Sequence, residues 1–460
     1  MTVLESSNPL QAFQWSPQPK AEGLIQELVE DFLSRHDFAR RLEGRLLSAA
    51  AVRFSDLVDY VAVDVQRPGL RDRLLDAGFV AEPSAGMPDV FAHPGGIFPR
   101  VQLLAAQRLD VAMKVESVAD FMATHGLDVP IAGDPLASVR TAEISSDDAH
   151  VLRIIERHGS RSLMPQTDQK PDAVKILRHA EAFRTRQRRF ETEAQGFAHT
   201  ERLVDSAIAA LGLDRACDLF FAAEREYWQR RNRAAQVQKA RQDRLGIGWA
   251  NHDHHTYRSS REHFAQLMTI FEKLGFHCRE RFYAGAQAGW GAQVLEQPVT
   301  NVIIFADVDL SPDELYDDFA HNGLPPRDDL GTVGLWCALH GEAYLEAGMH
   351  HLECQFAFDP LKQQLEGSEA VQVMKPFTDF PYLRQAFTEG EIWPVRPERI
   401  DRLLKAGRIN PQQAAHFRER GAIGSHLENL ERNQGFKGFN QTGVSEIIAR
   451  TDPRKQGAQR

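Results

Sequence analysis

Apolar positions change period along the chain, and the changes mark out its elements. Leu24, Leu28 and Phe32 recur at helical spacing and predict a helix within residues 20–50. The run LVDYVAVDV (57–65) predicts a strand, PGLRDRLLDAGF a short helix closing at Gly78, and PDVFAHPGGIFPRVQLL two short strands around a Gly-Gly turn. A second unit opens at LDVAMKVESVADFMATHGL (109–127), a strand followed by a helix with Ser117 as N-cap and its close near Gly126. Residues 1–160 therefore read as an α+β domain that accommodates two degenerate βαβ-type modules. Its strands carry no pair of metal-ligating side chains, and His93, beside Pro-Gly-Gly, reads as a turn residue.

Residues 161–245 change character. DAVKILRHAEAFRTRQRRFETEAQGFAHTERLVDSAIAALGL and FAAEREYWQRRNRAAQVQKARQDRL are charged and Ala-rich, which predicts a helical connector. Its arginines interleave with Glu and Asp, the pattern of a solvated helix face rather than a phosphate-binding stripe. From 246 to 460 the α+β pattern returns as a third domain. NHDHHTYRS reads as a strand, SREHFAQLMTIFEKLGF as an amphipathic helix, HCRERFYA as a strand, and WGAQVLEQPVTNVIIFADVDL as two more. SPDELYDDFAHNGL reads as a helix with a Ser311/Glu314 capping box. The unit then recurs: GMHHLECQFAF as a strand, DPLKQQLEG as a helix, EAVQVMKPF as a strand, PYLRQAFTEG as a helical or irregular connection, EIWPV as a strand, and a shorter coda.

Composition narrows the function classes. Hydrophobic residues make up 42% and charged residues 26%, as in an ordinary globular protein. A net charge of −10 argues against a general grip on nucleic acid or an anionic membrane surface. The four cysteines, Cys217, Cys278, Cys337 and Cys354, form no CxxC pair, so reduced thiols are expected. MTVLESSNPLQAFQWSPQ lacks the pattern of a signal peptide, and no apolar run reaches the roughly 18 residues of a membrane span. A cytoplasmic protein is the expectation.

The chemistry gathers at two strands that each carry a histidine pair. Side chains alternate across a strand, so His254, Thr256 and Arg258 share one face, and His351, Glu353 and Gln355 share one face of the second. His350 falls with Leu352, Cys354, Phe356 and Phe358 on the other, apolar face. His351 is thus the better ligand of its pair. His255 lies opposite His254, while His252 has the parity of His254 and stays a second candidate. Two inward histidines need a carboxylate to complete the 2-His-1-carboxylate set of non-haem Fe(II) oxygenases, and Glu296, Glu342 and Glu391 are candidates.

Residues 250–450 resemble the 2-oxoadipate dioxygenase/decarboxylase (hydroxyglutarate synthase) family of the vicinal oxygen chelate superfamily. HHTYR (254–258), MHHLECQFAFDPLKQQL (349–365), EGEIWPV (389–395) and GVSEIIART (443–451) carry the resemblance. It implies paired βαβββ modules in the C-terminal half, His254, His351 and Glu391 as Fe(II) ligands, and Arg258 on a substrate carboxylate. It suggests that Val444 and Ser445 contact substrate. It also implies oxidative decarboxylation of a 2-oxo acid by O2, with 2-oxoadipate giving 2-hydroxyglutarate and no separate 2-oxoglutarate cosubstrate. The segments before residue 250 and between the units differ from the family's pattern, so the iron chemistry carries over better than the substrate. Two other readings stand beside it. One is a vicinal oxygen chelate metalloenzyme using Mn²⁺ or Zn²⁺ on another small acid or amino-acid-derived substrate. The other is a non-catalytic binding module whose N-terminal half is the partner surface. The sequence leaves the oligomeric state open.

Overall fold

The computed structural model describes residues 15–82, 89–147, 149–166, 171–440 and 451–456. The first sheet contains β1 (Val58–Asp64), β2 (Val80–Ala81), β3 (Val90–Ala92), β4 (Arg100–Leu104), β5 (Leu109–Lys114), β6 (Ile131–Ala132), β7 (Val139–Asp147) and β8 (His150–Arg157). Their order is β2-β3-β4-β1-β5-β8-β7-β6. The second sheet contains β9 (His252–Arg258), β10 (His277–Tyr283), β11 (Trp290–Glu296), β12 (Ile303–Asp309), β13 (His351–Gln355), β14 (Thr378–Phe380), β15 (Leu383–Phe387), β16 (Glu391–Trp393) and β17 (Ala422–Arg432). It runs β10-β11-β12-β9-β13-β17-β15-β14, with β16 beside β17.

The two strand orders are the same diagram. In each sheet a βαβββ module folds so that its last strand pairs parallel with its first: β4 with β1, β8 with β5, β12 with β9 and β17 with β13. Two modules then join antiparallel through their first strands, β1 with β5 and β9 with β13. The protein is thus α+β, with paired βαβββ modules in the C-terminal half as expected. The N-terminal half repeats that plan in full rather than as βαβ units. Its short strands β2, β3 and β6 leave too little alternation to be read locally.

Alternation explains which face each sheet buries. Val61, Val63, Val111, Met113, Leu152 and Ile154 meet Leu70 and Leu74 of helix Leu70–Asp76 and Val118 and Phe121 of helix Val118–His125. In the second sheet Tyr257, Leu352, Cys354 and Leu427 join Phe264, Leu267 and Phe271 of one helix and Leu361 and Leu365 of another. All belong to one continuous core spanning both sheets. Each such side chain contributes roughly 1.5–3 kcal/mol by leaving water. The helical stretch joins that core too: the Phe221 ring lies 5.3 Å from His255 and 6.3 Å from Phe271. The opposite face of the first sheet closes over a smaller apolar cluster that includes Tyr60, Ala62, Ala112 and Ile155, whereas the opposite face of the second sheet carries buried polar side chains, among them His254, Glu353 and Glu428.

Ser117 caps its helix by accepting from Asp120 N at 3.2 Å, and Gly126 closes it in the left-handed conformation. The helix expected from Ser311 is only a 3-10 turn, Asp313–Tyr316. Glu314 does accept from Ser311 N, but its carboxylate is also held by Arg261 and Arg327, which pull the segment across the sheet end. PYLRQAFTEG forms strand β15 because Gln385 and Phe387 pair with Leu430 and Glu428 of β17. No described helix is long and apolar enough to cross a membrane.

Candidate metal centre

The four central strands of the second sheet set the site by register. His254 on β9 lies opposite Glu353 on β13, and Thr256 opposite His351. His351 and Glu353 lie beside His426 and Glu428 of β17. The period of two therefore puts His254, His351, Glu353, His426 and Glu428 on the face away from the helices. All are buried, none more than 7% exposed.

Their ligating atoms converge. One ligand atom each from His254, His351 and Glu428 lies within 4.8 Å of the other two. His254 Nε2 is 2.8 Å from Glu353 Oε2, and His351 Nε2 is 2.9 Å from Glu428 Oε2. Metal–ligand distances of about 2.0–2.2 Å bring neighbouring donor atoms to about 3 Å, so these separations suit a shared ion. The far sides of the rings are also engaged. Asp253 Oδ1 lies 3.1 Å from His254 Nδ1 and is anchored by Arg432. His351 Nδ1 lies 3.1 Å from His426 Nε2 and 2.8 Å from His350 Nδ1. With His351 Nε2 turned to a metal, its Nδ1–H donates to one of these rings, which fixes tautomer and orientation.

Without a cation, this cluster is electrostatically unfinished. Gln385 Oε1, His426 Nδ1 and His350 Nε2 are buried with no hydrogen-bond partner, and Glu353 Oε2 is engaged by the His254 ring. Burial, reinforced by the neighbouring Glu353 carboxylate, holds Glu428 well above the usual carboxylate range. Burial pushes His351 well below its ordinary value, leaving it neutral. For His254, burial pulls down but the Glu353 and Asp253 carboxylates outweigh it and raise the ring. Neutral imidazole beside two buried carboxylates is a donor set a divalent transition metal satisfies, so the residues fit such an ion.

A cavity of about 70 Å³ opens on these donors. Phe282, Trp290, Phe305, Phe387 and Phe439 form much of its wall, and Arg258 points into it. Arg258 is fully buried, with Nε 3.6 Å from Asp307 Oδ2 and with Nε and Nη1 lacking hydrogen-bond partners. Burial raises Asp307 to about 7 despite the guanidinium beside it. A buried arginine with free N–H groups has the geometry and charge to receive a carboxylate.

The structure brings His254, His351 and Arg258 together as the sequence suggested, and does not bring Glu391 to them. Glu391 begins β16, partly exposed, and its Oε2 accepts from Arg233 N at 3.0 Å at the start of helix Arg233–Asp243. The carboxylates that meet these histidines are Glu428 and Glu353 instead. Glu296 pairs with Arg279 and Lys437, and Glu342 accepts from Ser260 N. Val444 and Ser445 lie outside the described residues. Two parity arguments need correction. A bulge between His254 and His252 flips the face, so His252 sits 5.4 Å from His255 rather than beside His254. His350 precedes β13, so strand alternation does not govern it, and its ring reaches the site through His351. The residues missed were Glu428 and His426. Their signal was present in SHLENLER, where His426, Glu428 and Arg432 fall on one strand face.

The topologically matching strands of the first sheet carry a different solution. Arg153 on β8 donates to Tyr60 Oη on β1 at 3.0 Å and lies 3.9 Å from Asp110 on β5. A guanidinium supplies the positive charge there, and no histidine pair is needed.

No family model and no curated protein matches the chain. Solved structures match parts of it. A protein described as a hydrolase from Shewanella frigidimarina NCIMB 400 is 15% identical, with a TM-score of 0.34, over 49% of this chain and 98% of that one. A protein assigned to the glyoxalase superfamily from Ralstonia eutropha JMP134 is 10% identical, with a TM-score of 0.31, over 59% and 100%. Methylmalonyl-CoA epimerase from Mycobacterium tuberculosis is 13% identical, with a TM-score of 0.23, over 40% and 89%. Scores this low leave fold and site to rest on strand order and side-chain geometry.

Proposed function

We propose that the protein is a divalent-metal enzyme acting on a small organic acid, specifically an Fe(II)-dependent dioxygenase/decarboxylase of a 2-oxo dicarboxylic acid. The metal ligands in this reading are His254, His351 and Glu428, with Glu428 taking the place first given to Glu391. The observation that carries it is the meeting of two imidazole Nε2 atoms with the Glu428 and Glu353 carboxylates beside the unpaired N–H groups of Arg258.

Iron held by this set would supply Lewis acidity toward a 2-oxo carboxylate and the one-electron chemistry that O2 requires. The chain's residues do the rest. Arg258 binds the distal carboxylate, and its planar fork fixes that end through charge-assisted hydrogen bonds. The phenylalanine and Trp290 wall excludes water, which strengthens these contacts. Asp307, with its raised value of about 7, holds or releases a proton beside Arg258 near neutrality. For 2-oxoadipate the reaction balances as one O2 consumed, one CO2 released and 2-hydroxyglutarate formed.

Anaerobic Fe(II) reconstitution followed by O2 uptake and CO2 release tests the reading. A panel of 2-oxo dicarboxylic acids should give equal uptake and release with at least one member. Absence of uptake with every 2-oxo acid removes the oxygenase assignment. A second reading is favoured by Glu353, a second, fully buried carboxylate at the same centre, which suits proton abstraction from a small acid. That enzyme would turn over without O2 and accept Mn²⁺ or Zn²⁺.

A further inference from the structure

A second cavity lies apart from the metal site and is far roomier than the space of about 70 Å³ there. It measures about 680 Å³ and lies between the two sheets, within the range of ligand pockets. Its walls come from both halves: Arg100, Lys114 and Arg157 from the first sheet, Asp253 and Arg432 from the second.

Charge pairing around this cavity is uneven. Arg157 binds Asp59 at 2.6 Å, Arg53 binds Asp56 at 2.7 Å, and Arg432 binds Asp253 at 2.9 Å. Those three carboxylates are the acids whose charge reaches Lys114, and each is already engaged by an arginine. Lys114 itself makes no hydrogen bond or ion pair among the described residues. Arg100 has only a 3.9 Å approach to Glu82, which Arg161 holds at 2.6 Å. Burial depresses both cations. Arg100 on β4 and Lys114 on β5 flank β1, so two uncommitted cations face one cavity in a chain of net charge −10. Both are only partly exposed, so holding them charged without a partner has a cost that an anionic ligand lowers.

We propose that this cavity is a second ligand site, taking a small organic anion, a carboxylate or a phosphate monoester, with its acidic group on Lys114 and Arg100. The Asp253–Arg432 pair belongs to its wall and Asp253 also touches His254 Nδ1, so an occupant contacts the side chain that orients a candidate metal ligand. The site does not depend on which reaction the metal centre performs.

Titration calorimetry on the full metal-loaded chain tests it, with succinate and inorganic phosphate as separate probes. Saturable binding of at least one probe is expected. It should persist in Arg258→Met and weaken by about tenfold or more in Lys114→Met and in Arg100→Met. Preference for succinate assigns a carboxylic acid, and preference for phosphate assigns a phosphate ester. Failure of both probes to bind the wild type overturns the proposal. So does binding unchanged by both cation substitutions, or binding lost only in Arg258→Met. Melting curves report folding: if one cation variant is unfolded the other decides, and unfolding of both makes the cations structural and overturns the proposal.

Discussion

Glu428→Gln and Glu391→Gln give opposite outcomes if the carboxylate ligand is on β17. In the metal-free centre, Gln385 Nε2 lies 3.3 Å from both Glu353 Oε1 and Glu428 Oε1, so the two carboxyl groups share one small buried volume. Two unit charges about 4 Å apart at an effective dielectric near 20 repel by roughly 4 kcal/mol. Glu428 relieves this by holding a proton. Glutamine replaces that protonated acid with a neutral group of the same shape, so the metal-free variant should melt within about 1 kcal/mol of wild type or above it. Metal changes the comparison. At 100 times Kd a metal adds roughly 2.7 kcal/mol, and at 1,000 times roughly 4.1 kcal/mol, which raises the melting temperature by several degrees. Glu428→Gln should lose this increment together with stoichiometric metal. Glu391→Gln should keep both, losing only the cap on Arg233 N, about 0.5–2 kcal/mol. Melting by differential scanning fluorimetry, with metal measured by plasma mass spectrometry, reads both variants. Full metal content in Glu428→Gln, or its loss in Glu391→Gln, refutes the argument.

Other expectations follow from the same geometry. Arg258→Met should leave metal content intact and weaken binding of an acidic substrate by about 10–150-fold, read as Kd or KM; an unchanged value removes the guanidinium from the substrate site. His426→Phe should lower metal affinity by about 10–100-fold while His254, His351 and Glu428 all remain, because it removes a partner of His351 Nδ1; competition with a chelator measures this. His158 ties the first sheet to helix Leu213–Gln229 through Glu156 at 2.7 Å and Asp218 at 3.1 Å. Burial draws the ring down, but the two carboxylates prevail and raise it to about 9. Its folded value exceeds the ordinary 6.5, so the stabilisation is complete below about pH 6.5 and is lost as pH rises through 9, an effect of roughly 3 kcal/mol. Wild type should therefore lose melting temperature between pH 7 and 9.5 relative to His158→Gln, and parallel curves would exclude this role.

Local period carried much of the site. Alternation in HDHHTYR and HLECQ placed His254, Arg258, His351 and Glu353 on one face, and the register agrees. What local period cannot carry is which distant strand lies alongside. Glu428 reaches the centre because β17 pairs with β13 across 75 residues of sequence, from His351 to His426, and the intervening chain includes three helices and the strands β14, β15 and β16. Nothing in EGEIWPV distinguishes a ligand from a helix cap, because that choice is made by where β16 docks. Alternation also failed where the backbone departs from it, at the bulge beside His252 and at His350 before its strand begins. The duplicated plan of the N-terminal half was hidden because β2 and β6 span two residues each and β3 three. Strands that short show no period.

The most direct test of the metal centre is anomalous diffraction from a crystal grown with Mn²⁺ or anaerobic Fe(II), recorded on both sides of the metal edge. The account predicts a peak on the inner face of the second sheet, at ligand distance from His254 Nε2, His351 Nε2 and Glu428. A peak at Glu391 or at the exposed Glu272–Cys278–His321 cluster with none at the histidines would contradict it, as would no peak in metal-saturated crystals.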